Sequence, residues 1–155
     1  MTDEDPFDSV DRITGEVDRD PQEPAASSPT SEEEPTTFYG SADEWLRRYW
    51  LFSYRRRVSS RGSGTGRWKA DWWTVDEAVQ RLEALWRAWE VARLDPGVGM
   101  SSWWLNHATP HMSALLAQDG PFAGATDEND VGAPLPYQRP PAGRFAPDFR
   151  SDGDW

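Results

Sequence analysis

The clearest hydrophobic pattern in the chain lies between Thr74 and Leu94 and predicts the central helix of the fold. Apolar residues recur there at intervals of three and four positions, which places them on one face of an α-helix. Thr74 and Glu77 have the spacing of a capping box at its start, and the turn residues from Asp95 onward predict its end. The residues of the apolar face are Val75, Ala78, Val79, Leu82, Leu85, Trp86 and Trp89.

A second helix is predicted upstream, from about Ala42 to Val58. Ser41 and Glu44 repeat the capping-box spacing at its start. Its apolar positions again follow the helical period, so one side of this helix should face the core. The apolar seam consists of Trp45, Tyr49 and Phe52.

Two shorter helical segments are predicted downstream of the central helix. Ser101 can cap the first, SSWWLNHA, and Thr109-Pro110 interrupts the pattern before the second, PHMSALLA. The pattern as a whole predicts an all-α protein, a small bundle of three to four helices flanked by disordered tails. Most of the ten tryptophans are expected to form an aromatic core.

Charge is distributed unevenly along the 155 residues and separates a domain from two tails. Residues 1–36 have a net charge of −10 and few large apolar side chains, so we expect a disordered acidic tail. Residues 37–122, with a net charge of +2, should form the helical domain. Residues 123–155 are rich in proline and glycine and should be mostly extended or disordered. They could lie against the domain through Tyr137, Phe145 and Phe149, or remain free of it.

The chain has no cysteine, which excludes disulfides and thiolate metal sites and favours a cytoplasmic location. Its first residues lack the basic and apolar regions of a signal peptide. The uncharged residues 96–118 include Asn106 and two histidines, so we expect no membrane span. The composition indicates no cofactor and no particular oligomeric state.

The most distinctive chemical feature is a stretch between Arg47 and Lys69 that contains eight basic residues and no carboxylate. Arginine binds phosphates bidentately, and exposed tryptophans stack on bases. A competing interpretation is a solvated helix face beside core tryptophans, and a third is that the acidic residues 1–36 cover the basic stretch. The residues of the hypothetical DNA- or RNA-binding site are Arg55, Arg56, Arg57, Arg61, Arg67, Trp68, Lys69, Trp72 and Trp73.

A second candidate site is a polar pocket for a ligand or for catalysis, formed by Arg93, His107 and His111. Two histidines four residues apart on one helix can bind zinc, but Pro110 lies between them, so we expect no metal. Arg93 can also bond the last carbonyls of the central helix. The sequence contains no GxSxG elbow and no complete phosphate-binding loop, so no catalytic residues are expected.

Adjacent tryptophans indicate an alternative function, the binding of a protein partner. Trp72 and Trp73 cannot point the same way on a helix, and the same holds for Trp103 and Trp104. One member of each pair could therefore be exposed and, together with the tails, contact a protein.

Several composite motifs together resemble an actinomycete family known only as domain of unknown function 4913. The resemblance covers residues 37 to 122. It implies an accessory protein of a plasmid, conjugative element or phage. From the residues themselves we expect the partner to be DNA, RNA or a protein of the same mobile element. The resemblance supplies no catalytic residues, so we expect a non-enzymatic interaction module. The motifs are FYGSADEW (38–45), YRRR (54–57), RWKADWW (67–73), EAVQRLEALWRAWE (77–90), RLDPGVGMSSWWLNHATPHM (93–112) and GPF (120–122).

Overall fold

The computed structural model describes residues 36–62 and 65–146, and three helices dominate these ranges. The first helix, α1, consists of Ala42–Trp45, Leu46–Trp50 and Leu51–Ser53. The second, α2, spans Asp76–Ala92 after a 3₁₀ turn at Trp72–Thr74. The third, α3, consists of Gly99–Trp103, Trp104–Ala108 and Thr109–Leu116. Within the described ranges β pairing is limited to one bridge between Val58 and Gly66, so the all-α class is confirmed. The predicted acidic tail lies outside the described residues except for Thr36.

The start of α1 agrees with its capping box, but its end does not agree with the prediction. The Glu44 N–H donates to Oγ of Ser41 at 3.1 Å, while the Glu44 carboxylate accepts the N–H of Gly40 at 2.8 Å. The helix ends at Ser53 rather than Val58, because the backbone becomes extended at Tyr54. Along this extended course Tyr54 and Val58 are buried.

A π-helical turn at Leu46–Trp50 changes which residues of α1 face the core. A π turn adds one residue to the helix, so the residues after it are rotated by about 100° relative to a regular helix. Leu51 consequently turns inward and is 5% exposed, whereas Phe52 is 59% exposed. The predicted inward position of Phe52 is wrong because that prediction assumed an uninterrupted period of 3.6 residues.

The apolar face of α2 is confirmed, and its predicted cap is wrong. Ala78, Leu82 and Leu85 are fully buried, and Val75 and Val79 pack against the same core. Thr74 does not cap the helix, because it belongs to the preceding 3₁₀ turn, where its hydroxyl donates to the carbonyl of Asp71 at 2.8 Å and accepts from the Lys69 ammonium at 3.1 Å. Val75 occupies the N-cap position without a side-chain hydrogen bond.

The third helix runs through Pro110, so the predicted interruption there is wrong. Proline cannot donate a backbone hydrogen bond, and its ring clashes with the carbonyl four residues earlier in a regular α-helix. A second π-helical turn, Trp104–Ala108, lies directly before the segment that contains Pro110. A π-helical turn is wider than a regular α-helical turn, and α3 continues without a break from this turn into Thr109–Leu116.

The aromatic core is confirmed and lies where the three helices meet. Trp45 and Trp50 of α1 stack with ring centroids 5.4 Å apart, and Trp103 of α3 meets both rings edge-on. The indole N–H of Trp103 donates to the Leu85 carbonyl at 3.1 Å, and that of Trp50 donates to the sulfur of Met112 at 3.4 Å. These contacts join α1 to α3 and α3 to α2.

Residues 123–146 lie extended against the helices, and the folded region therefore continues beyond residue 122. The Tyr137 hydroxyl donates to a carboxylate oxygen of Asp43 at 2.7 Å, and Phe145 stacks on Trp72 at 5.1 Å between centroids. The Gln138 N–H donates to the carbonyl of Ala70 at 2.9 Å. Of the two alternatives for this segment, the packed one is observed up to residue 146, and Phe149 lies outside the described residues.

Candidate interaction surfaces

The arginine segment, residues 54–61, leaves α1 as an extended chain and presents basic side chains to solvent. Arg55, Arg56, Arg57 and Arg61 are all exposed. Val58 between them is fully buried, so the backbone is attached to the domain while the guanidinium groups project outward. This arrangement concentrates positive charge on one short stretch of surface.

Asn129 holds the backbone of the arginine segment in place. Its side-chain oxygen accepts the N–H of Val58 at 2.7 Å, and its side-chain nitrogen donates to the carbonyl of Arg56 at 2.9 Å. The same nitrogen lies 3.0 Å from the carbonyl of Pro134. One amide therefore links the arginine segment to the C-terminal segment, and the arginines are displayed from a fixed backbone.

Several of the exposed arginines also make contacts within the chain. The Arg55 guanidinium donates to the Gly132 carbonyl at 2.8 Å, and that of Arg56 lies 4.1 Å above the Tyr54 ring. Arg61 is 3.8 Å from Glu128, but its side chain is 90% exposed and that of Glu128 is 45% exposed. Such an exposed pair contributes little binding energy, so it leaves Arg61 able to exchange partners.

The remaining residues of the sequence-predicted nucleic-acid site are directed mainly into the protein. Trp68 and Trp72 are fully buried and offer no ring face to a base. Trp73 is partly buried and donates to the carbonyl of Gln138 at 3.3 Å. Arg67 donates to the Ser59 carbonyl at 2.7 Å, and Lys69 contacts Thr74 and Asp71. The structure thus separates four exposed arginines from the tryptophans that were grouped with them.

A second surface of different chemistry, here called the apolar end, consists of Val91, Leu94 and Val98. These side chains are 72%, 56% and 66% exposed. Val91 borders two hollows: one of about 180 Å³ beside Thr36 and Leu94, and one of about 440 Å³ between α2 and α3. The exposed apolar side chains of this surface are aliphatic, whereas Trp103 is buried and Trp104 is only partly exposed.

Arg93 belongs to a buried ion pair at the end of α2. Its Nε donates to the Glu90 carboxylate at 2.6 Å, and another guanidinium nitrogen donates to the Thr36 carbonyl at 3.1 Å. Glu90 is only 6% exposed and also accepts the backbone N–H groups of Phe38 and Tyr39 and the indole N–H of Trp86. The contacts of Arg93 are thus structural and attach residues 36–39 to α2.

The other two residues of the predicted polar pocket lie in different surroundings. His107 is exposed and lines the hollow between α2 and α3, whereas Arg93 lines the hollow beside Thr36. His111 is partly buried, and its Nδ1 lies 3.2 Å from an Arg81 guanidinium nitrogen. Since arginine can only donate, Nδ1 accepts this hydrogen bond. Burial, followed by the charges of Arg81 and His107, lowers the pKa of His111.

The roles of Asn129 and Phe52, which lie beside the arginine segment, are not recognisable in the sequence. Asn129 contacts Val58 across 71 positions, and no local pattern indicates such a pair. Phe52 was assigned to the core because its spacing from Trp45 fits a regular helix. A π turn is not encoded in that spacing, so the exposure of Phe52 appears only in the structure.

Within the described ranges, no group of three or more His, Asp or Glu side chains is placed to hold a metal ion. The helices found there are also too short or too polar to cross a membrane. The fold and its surfaces define a small helical domain with an aromatic core and exposed basic and aliphatic patches. The family described as Domain of unknown function (DUF4913) matches residues 39–141, and the chain belongs to this family. Comparison with curated proteins and with solved structures found no significant match.

Proposed function

We propose that the domain is a non-enzymatic interaction module that binds nucleic acid through the arginine segment. The observation that carries the proposal is the exposure of Arg55, Arg56, Arg57 and Arg61 on a backbone fixed by Asn129. Guanidinium groups bind phosphate oxygens in bidentate geometry. A fixed backbone also reduces the conformational entropy lost on binding.

The positive charge of the exposed arginines themselves supports contact with phosphates rather than with a neutral ligand. Glu128 is the carboxylate paired with Arg61, and the distance of 3.8 Å in an exposed setting makes this a weak pair. Side chains alternate in direction along an extended chain, so Arg55 and Arg57 share one side of the segment, while Arg56 projects from the other side. All three arginines are exposed and can contact phosphates. A role in an actinomycete mobile element and a cytoplasmic location, both expected from the sequence, belong to this proposal.

The test measures the binding of fluorescently labelled DNA and RNA by anisotropy at several salt concentrations. The variant Arg55→Gln/Arg56→Gln/Arg57→Gln should bind duplex DNA more weakly, and the slope of log affinity against log salt should fall by about 2 to 3. The matched control is Arg87→Gln/Arg139→Gln/Arg144→Gln, which removes the same charge from exposed positions elsewhere. An equal loss in both variants, or no binding by the wild-type protein at low salt, would refute the proposal.

A second candidate function is the docking of a protein partner on the apolar end. The exposure of Val91, Leu94 and Val98 beside two hollows favours it, because clustered aliphatic side chains at a surface mark protein contacts. The sequence predicts protein binding through exposed tryptophans. In this candidate the aliphatic side chains of the apolar end contact the partner instead.

Affinity capture from the native host distinguishes this second candidate. A specific partner should be retained by the wild-type protein and lost by Val91→Asp, which places a charge at the centre of the apolar end. Val131→Asp is the control, because Val131 is 78% exposed and lies on the C-terminal segment. A partner list that is unchanged in Val91→Asp would count against this surface.

A further inference from the structure

Phe52 presents an aromatic ring to solvent at the end of α1, with 59% of its surface exposed. The π-helical turn at Leu46–Trp50 produces this orientation, since it gives the inward position to Leu51 instead. Exposing a phenylalanine forgoes the stabilisation that burial would provide. π turns inside α-helices also occur frequently at functional sites.

The exposed ring lies next to the arginine segment. The Nε of Arg55 donates to the backbone carbonyl of Phe52 at 3.4 Å, so this guanidinium lies beside the backbone of Phe52. Arg56 and Arg57 follow directly along the extended chain. The neighbouring Tyr54 is only 8% exposed and packs against Trp50, so Phe52 is the accessible ring at this position.

We infer that Phe52 and the arginine segment form a binding site for single-stranded nucleic acid. The ring stacks on an unpaired base, and Arg55, Arg56 and Arg57 contact the phosphates on either side of it. In a duplex the bases are already stacked on one another, so their faces cannot reach a surface ring. Phe52 therefore favours single strands over duplexes, while the arginines contribute to the binding of both. This inference rests on the proposed nucleic-acid function and adds the class of nucleic acid.

The experiment compares the full chain with Phe52→Ala, using labelled oligothymidylate, a single-stranded RNA and a blunt-ended DNA duplex of similar length. The substitution should weaken single-strand binding by about tenfold, because one base–aromatic stack is lost, and should leave duplex binding within about twofold. Phe52→Trp should retain single-strand binding, because indole also stacks on bases. Leu105→Ala is the control, as Leu105 is a 72% exposed apolar residue on α3.

The outcomes separate this inference from the proposed function. If the wild-type protein binds nucleic acid but Phe52→Ala leaves single-strand affinity unchanged, the stacking site is refuted. The proposed binding through the arginine segment is then retained. Equal affinities of the wild-type protein for duplex and for single strands would also contradict the stacking site. If neither form of nucleic acid binds at low salt, the proposed function fails and the stacking site fails with it.

Discussion

The hydroxyl of Tyr137 donates a 2.7 Å hydrogen bond to the carboxylate of Asp43, across 94 positions of the chain. Asp43 lies in the first turn of α1, is 8% exposed, and also pairs with Nε of Arg47 at 3.5 Å. The bond attaches the C-terminal segment to the start of the helical domain. Burial, then the hydrogen bond and the charge of Asp43, raise the pKa of Tyr137.

Replacing Tyr137 with phenylalanine should reduce the free energy of unfolding by about 1.5 kcal/mol near neutral pH, since a hydrogen bond to a carboxylate is lost. The raised pKa also gives this difference a pH dependence. Above the ordinary value of 10.0 the unfolded chain releases the phenolic proton while the folded protein retains it, so stability falls as pH rises. Urea titrations at pH 8 and at pH 11 should show a smaller gap between wild type and variant at the higher pH. A larger stability difference at pH 11 than at pH 8 would contradict the raised pKa of Tyr137.

Glu90→Gln should be strongly destabilising. The buried carboxylate accepts hydrogen bonds from Phe38, Tyr39, Trp86 and Arg93, and an amide has only one acceptor oxygen for these donors. We expect a loss of about 3 kcal/mol in the free energy of unfolding, measured by urea denaturation. Glu77→Gln is the control, because the Glu77–Arg81 pair is largely exposed and should change stability by about 0.5 kcal/mol. Similar losses in both variants would argue against a special role for Glu90.

The register of α1 can be tested with two adjacent alanine substitutions. Leu51→Ala removes a buried side chain and should cost about 3 kcal/mol, whereas Phe52→Ala removes an exposed one and should cost about 0.5 kcal/mol. A regular α-helix in place of the π turn would reverse this order. Thermal and urea unfolding followed by tryptophan fluorescence would measure both values.

The pKa of His111 should rise towards its ordinary value of 6.5 in Arg81→Gln, because a cationic neighbour is removed. Glu77→Gln retains the guanidinium and should leave this pKa lowered. A lowered pKa means that the unfolded chain binds a proton before the folded protein does, so this residue reduces stability as pH falls below 6.5. NMR titration of the imidazole resonances would measure the shift, and an unchanged value in Arg81→Gln would show that Arg81 does not contribute to the lowered pKa.

The sequence predicts those features of the fold that depend on local periodicity. The apolar face of α2 and the cap at Ser41 follow from spacing alone, because the interactions involved span three or four residues. The exposure of Phe52 does not follow, since a π turn changes the register without a distinctive residue. The cap predicted at Thr74 is wrong because Thr74 belongs to a 3₁₀ turn and Val75 takes the N-cap position.

The candidate surfaces were predicted in part. The clustering of arginines at positions 55–57 is visible in the sequence, and their exposure agrees with a polar segment outside a helix. The burial of Trp68 and Trp72 could not be inferred, because it depends on contacts with Phe122 and Phe145, which lie more than fifty positions away. The role of Asn129 is not visible in the sequence either, because Asn129 lies 71 positions from Val58.

The stacked rings of Trp45 and Trp50, inclined by only 14°, have a spectroscopic consequence. Indole transitions in such close contact couple to one another, and Trp103 adds a nearly perpendicular partner to each ring. The coupled transitions produce circular dichroism in the wavelength range of the peptide backbone. A helix content calculated from backbone reference spectra will therefore differ from the true content until the indole contribution is subtracted. The part of that contribution that comes from Trp103 depends on the contact between α1 and α3, and its loss on heating would report the temperature at which the two helices separate.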